Sequence, residues 1–180
     1  ITLYYIQMSI ELTRTNGKML SISKDGKALR FTVPKNDIPY GFSEFVPPNG
    51  GPSSVSLDIT IVDEDKIREI VEIEHDIRKQ LVGMHGLSED DINTMFTSNF
   101  RNGRLRLKQT RSTRLFNPDG TPMDKIARGG DFKRGQAACS ATVASVYFMN
   151  RKVGLVWYAD HIKIWEPKPE ADLSEYAFRD

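Results

Sequence analysis

Residues 137–165 read AACSATVASVYFMNRKVGLVWYADHIKIW, and the fold is decided there. Ala137 to Met149 favours β structure, is rich in small residues and closes on Val146-Tyr147-Phe148. Asn150-Arg151-Lys152 turns the chain, and Val153-Gly154-Leu155-Val156-Trp157-Tyr158 runs on to His161-Ile162-Lys163-Ile164-Trp165. The stretch is one long strand, a turn and a second long strand.

Upstream, the same two-residue period recurs. In Arg104-Leu105-Arg106-Leu107-Lys108 the leucines point one way and the three cations the other. In residues 56–61, Leu57, Ile59 and Ile61 share a face opposite Ser56, Asp58 and Thr60. Residues 28–33 place Leu29, Phe31 and Val33 inward, and Pro34 ends that strand. Asn16-Gly17 and Asp25-Gly26 are tight-turn signals around the short run 19–22, Phe45 to Ser54 is a Pro- and Gly-rich loop, and Asn117-Pro118-Asp119-Gly120 is a turn. Only between 65 and 97 does the period change. Ile67, Ile70, Val71, Ile73, Ile77 and Leu81 recur at helical spacing, Gly83 is the stop, and Ser88 opens a second short helix that ends near Phe96. Ser88 and Asp91 approximate a capping box, whose third residue is normally Glu or Gln. Six to eight short strands with one helical insertion make a β-rich domain, a small barrel or a sandwich. Strand and helix do not alternate, which speaks against a doubly wound parallel sheet.

The 180 residues, 39% hydrophobic and 27% charged, suit one domain with one core. No apolar run approaches the roughly 20 residues of a membrane span, and Ile1-Thr2-Leu3-Tyr4-Tyr5 has no signal-peptide character. Cys139 stands alone, which fits a reducing, intracellular compartment and a small buried hydrophobe. Net charge is +1, but it is segregated. Residues 61–100 hold ten acidic and four basic side chains, a balance of −6, whereas 101–134 hold ten basic and three acidic, a balance of +7. Such a block is either a polyanion-binding face or a strand neutralised by the neighbouring acidic helix.

Enzyme motifs are absent from the sequence. No phosphate loop, GxSxG elbow or HExxH occurs, and His75, His85 and His161 lack ligand spacing. Asp63-Glu64-Asp65 reads as an acidic helix start rather than a metal site. No catalytic residue, metal or cofactor is expected. A metal-dependent nuclease would need Asp63 and Asp65 brought beside Glu74.

The basic strand is the strongest functional signal. Its cations stand roughly 6–7 Å apart on one face, comparable to the phosphate repeat of an extended single strand. Residues 101–114 hold six basic side chains and no acidic one. A cationic groove with aromatic platforms is what single-stranded nucleic acid requires. Arg104, Arg106, Lys108, Arg111, Arg114, Lys133 and Arg134 are the candidate phosphate contacts, and Phe116, Trp157 and Tyr147 the candidate stacking residues. Trp157 faces away from the core in this reading, because Tyr158 shares its parity with Ile162 and Ile164. The residue pattern does not separate DNA from RNA, since reading the 2′-OH depends on side-chain placement. The rival reading is a β-sandwich virion or assembly protein, in which the acidic helix of one copy meets the basic strand of another to form a homo-oligomer.

Phe116 to Met123, Gly135 to Met149 and Lys152 to Glu166 together resemble the closing part of single-stranded-DNA-binding proteins of bacteriophages and large DNA viruses. The resemblance covers about residues 104–166. It implies an OB-fold-like antiparallel barrel over 1–166, with the helices of about 65–97 inserted between barrel strands. It also implies single-stranded DNA as partner, a role in DNA replication or recombination, and a location in host cytoplasm or nucleus. The acidic tail, 167–180, would be flexible and recruit replication proteins. From Glu166 on the chain carries −3 and finishes Phe178-Arg179-Asp180, a departure from the acidic, aromatic-ended tails of the resembling proteins.

Overall fold

The computed structural model describes residues 9–15 and 19–167. The Asn16-Gly17 turn and the tail beyond Pro167 lie outside the described residues. The elements run β1 (Ile10–Arg14), β2 (Met19–Lys24), β3 (Lys27–Ile38), β4 (Phe42–Phe45), β5 (Ser54–Thr60), α1 (Glu64–Leu81), α2 (Glu89–Met95), β6 (Phe96–Thr97), β7 (Phe100–Arg101), β8 (Arg104–Lys108), β9 (Arg114–Phe116), β10 (Gly135–Met149) and β11 (Lys152–Trp165). They form one sheet in the order β1-β2-β3-β10-β11-β8-β5-β4. Taken alone, β3, β5, β8, β10 and β11 are five strands in the spatial order first, fourth, fifth, third, second. The end strands β3 and β5 approach each other without a ladder between them. Strand β8 meets β11 in parallel and β5 antiparallel. This is the partly open five-stranded order of an OB-like fold, with both helices inserted between its second and third strands.

The long hairpin is the spine. Strand β10 pairs with β11 over most of its length and with β3 on its other edge. Two irregularities interrupt the β10–β11 ladder. Ala144 is the extra residue in β10, and Asp160 is the extra residue in β11, between Ala159 opposite Ala141 and His161 opposite Ser140. A bulge residue shifts the side-chain alternation by one. The expectation that Trp157 is exposed is therefore corrected: with Asp160 inserted, Trp157 and Ala159 face the core together with Ile162 and Ile164. Trp157 is 1% exposed and sets its ring edge-on to Phe31, 5.3 Å between centroids at 81°. Tyr158 is the neighbour that turns outward. The strand end expected at Pro34 is also corrected. Strand β3 continues to Ile38, because Pro34 and Lys35 together oppose Ala138 in a bulge, where no ladder donor is required of proline.

The helices follow their caps. Asp63 accepts from the N–H groups of Asp65 and Lys66, satisfying donors at the start of α1. Ile70, Ile73, Ile77 and Leu81 are buried on its inner face, and Gly83, at φ +85°, takes the left-handed turn just past the helix end. Ser88 and Asp91 do form a reciprocal box: the Asp91 N–H donates to Ser88 Oγ at 3.1 Å, and the Ser88 N–H donates to Asp91 Oδ2 at 2.8 Å. Aspartate thus fills the position usually held by Glu. No described helix is long and apolar enough to cross a membrane.

Candidate nucleic-acid interface

Strands β5 and β8 build the face. Leu57 lies opposite Leu107 and Ile59 opposite Leu105, all four fully buried. The alternation therefore sends Arg104, Arg106 and Lys108 outward, opposite Thr60, Asp58 and Ser56. The Arg106 guanidinium donates from Nε to Asp58 Oδ1 and from Nη2 to Oδ2, both at 2.8 Å. Its side chain is 61% exposed while that of Asp58 is 17% exposed, so the carboxylate is recessed and the guanidinium presented. The hydrogen bonds to Asp58 hold the Arg106 pKa above its ordinary value. Arg104 lies over the Tyr40 ring, 5.0 Å from its centroid. No ion pair joins α1 to β8 among the described residues, and α1 pairs Lys66 with Glu69 and Arg68 with Asp65 internally.

A turn forms the rim. Asn102 and Gly103, at φ +51° and +72°, close a two-residue hairpin that sets Arg101 opposite Arg104. Asn99 fastens the rim to β8, accepting from the Arg106 N–H at 2.9 Å and donating its amide to the Arg106 carbonyl at 3.2 Å. Underneath, the buried Glu74 carboxylate accepts from Ser98 Oγ at 2.7 Å and from the Asn99 N–H. Burial raises its pKa, and the bonds from Ser98 and Asn99 offset part of that rise.

Three adjoining cavities share Tyr147. One of about 350 Å³ is lined by Asp58, Asn99, Arg101, Arg104 and Arg106. A second, about 300 Å³, adds Lys108 and Met149 to Arg106. A third, about 690 Å³, lies at the β10–β11 turn among Met19, Met95, Phe148, Arg151 and Lys152. Tyr147 can lie flat there because its opposite number in the ladder is Gly154, where any Cβ would run into the tyrosine ring.

The structure thus gathers Arg104, Arg106, Lys108 and Tyr147. Trp157 meets the second cavity only from the core beneath. Arg111 is exposed in the turn after β8, and Arg114 lines a separate cavity with Lys125. Phe116, half-buried, sets its ring edge-on to His161 at 5.6 Å. Lys133 and Arg134 sit in the turn before β10, where the Arg134 N–H donates to the Pro39 carbonyl. Sequence reasoning missed Asn99, Arg101, Arg151 and Lys152 as lining residues; Asn102-Gly103 is the signal that would have placed Arg101 beside Arg104.

Among the described residues no group of three or more His, Cys, Asp or Glu side chains is placed to hold an ion. Asp63 caps α1, and Glu74 lies eleven residues further along it, about 16 Å away at 1.5 Å rise per residue. Cys139 is buried, which pushes its thiol pKa up to about 12.

No family model matches the chain, and no curated protein matches its sequence. Solved structures do resemble it. The single-stranded DNA-binding protein from bacteriophage Enc34, in complex with ssDNA, is 8% identical and superposes with a TM-score of 0.50 over 89% of this chain and 97% of that one. The same Enc34 protein without DNA gives 9% identity and 0.49 over 93% and 98%. The gp2.5 single-stranded DNA-binding protein encoded by bacteriophage T7 gives 15% identity and 0.49 over 84% and 98%. What the Enc34 complex has in common with this chain is the fold, an OB-like frame that accounts for nearly the whole of both molecules.

Proposed function

We propose that this protein binds single-stranded DNA without sequence preference, in DNA replication or recombination, along the outer face of β5 and β8. The observation that carries the reading is the convergence of Arg101, Arg104 and Lys108 on cavities that share one aromatic, Tyr147. None of these three cations has an ion-pair partner among the described residues, so their charge is available to phosphates. The second and third strands of an OB barrel, and the loop joining its fourth and fifth, are where such folds take oligonucleotides. Here those parts are β5, β8 and the 149–152 turn. The Enc34 protein of like fold holds ssDNA. In this arrangement the strand's phosphates run past Arg101, Arg104 and Lys108 and leave by Arg151 and Lys152, while a base stacks on Tyr147. Arg111, Arg114, Phe116, Lys133 and Arg134 fall outside the groove and receive no nucleotide in this proposal. The tail is proposed to recruit replication proteins, a role separate from the groove.

The test is a triple variant, Arg101→Ala, Arg104→Ala and Lys108→Ala, titrated with a labelled oligo-dT of about thirty nucleotides across salt concentrations. Removing one phosphate-binding cation flattens the log–log salt slope by about 0.7, so the triple variant should flatten it by about 2. An unchanged slope would mean that the groove does not bind the strand. If the wild type scatters light as an oligomer that the triple variant disperses, with no single-strand binding, the cations serve subunit contacts instead.

A further inference from the structure

We propose that Arg106 meets a nucleobase with the flat face of its guanidinium rather than a phosphate with its charge, and that it and Tyr147 hold one base between them. This deepens the single-strand reading above and rests on it. Both donors of the Arg106 fork are already committed to Asp58, at 2.8 Å each, in the geometry that matches a carboxylate bidentately. Asp58, fixed on β5 directly across the ladder, occupies the Nε–Nη2 edge and offsets the charge, so a phosphate would have only the remaining N–H groups and a carboxylate beside it. The pair leaves a plane rather than a free charge. Asp58 holds that plane at the side chain, and Asn99 fixes the Arg106 backbone beneath it through its N–H and carbonyl.

The plane also shares its cavities with an aromatic ring. Arg106 and Tyr147 line the same two cavities, of about 350 and 300 Å³, and Gly154 lets the tyrosine ring lie against the backbone. Arginine planes and aromatic rings are the two surfaces on which proteins stack unpaired bases. Two residues to either side on the same strand face, Arg104 and Lys108 have no ion-pair partner among the described residues. The strand thus presents cation, neutralised plane, cation, and Arg104 and Lys108 stand roughly 13 Å apart, about two phosphate repeats of an extended strand with the plane midway.

The experiment is a salt-slope series on the full chain with oligo-dT, plus a 2-aminopurine-containing oligonucleotide whose fluorescence reports stacking. Arg106→Lys keeps the charge and removes the plane; it should weaken binding about tenfold, leave the slope unchanged and reduce the 2-aminopurine quench. Arg106→Ala should do the same, and Tyr147→Ala combined with it should add less than the sum of the two. Asp58→Asn frees the fork and should steepen the slope by about 0.7. Thermal melts of each variant establish that it is folded, and Arg106→Lys, which keeps a partner for Asp58, carries the test if Arg106→Ala is not. A slope flattened by about 0.7 in Arg106→Ala, with Arg106→Lys near wild type, would make Arg106 a phosphate contact and overturn this inference alone. A wild type that does not bind single strands at all would overturn both this inference and the reading beneath it.

Discussion

Glu74 carries the rim of the groove on a buried carboxylate, so its protonation state is tied to stability. Desolvation raises its pKa in the fold above the ordinary 4.5, against the pull of Ser98, Asn99 and Arg78. The folded protein therefore holds this proton more tightly than the unfolded chain. Glu74 penalises folding above its raised pKa, and the penalty fades as pH falls toward 4.5. Glu74→Gln, which keeps an acceptor for Ser98, should be more stable than wild type in urea melts at pH 7 to 8, with the gain shrinking toward acid pH. Trp157 behaves differently. Wedged against Phe31 and surrounded by the core, it should cost about 3–5 kcal/mol of unfolding free energy as Trp157→Ala, whatever that does to DNA.

The hairpin β10–β11 shows how much an element reveals before its structure is known. Strand existence and facing were legible in β5 and β8, because each buries one face and alternation writes that directly into the order of residues. Parity along β11 was not. Asp160 bulges with Arg30 and Thr142 as its polar partners, and nothing in Tyr158-Ala159-Asp160-His161 marks an extra residue. One insertion exchanged the facings of Trp157 and Tyr158. Pro34 misled in the opposite sense, since a bulge excuses the missing N–H and lets β3 run on. The candidate site was legible to the same depth: the cations of β8 follow from alternation, whereas the Asp58 partner and Tyr147's position depend on register across strands 48 and 41 residues away from Arg106. At this scale Gly154→Val is the informative change. Its side chain would enter the space of the Tyr147 ring, so the variant should lose the stacking proposed for that ring, about fivefold or more in oligo-dT affinity, with the salt slope kept.

Across the whole molecule, segregated charge takes a definite form. Within helix α1 Lys66 pairs with Glu69 and Arg68 with Asp65, and β8 answers to Asp58 alone among the described ion pairs. The net +1 of the chain therefore conceals a basic strand that makes no ion pair with the acidic helix among the described residues. In the proposed arrangement an anion steered to that face meets Arg101, Arg104 and Lys108, then Tyr147, then the turn at Arg151 and Lys152. A rigid duplex keeps its bases stacked on each other and offers Tyr147 nothing, whereas an extended single strand can place a base there. The decisive titration follows the anisotropy of single-stranded oligo-dT and of duplex DNA of equal length as wild-type protein is added, each at several salt concentrations. The expected result is tight single-strand binding, much weaker duplex binding, and a single-strand slope of at least about −2 from three or more neutralised phosphates. Equal, weak binding to both DNAs that vanishes at moderate salt would refute single-strand recognition, leaving the basic face as charge without a groove.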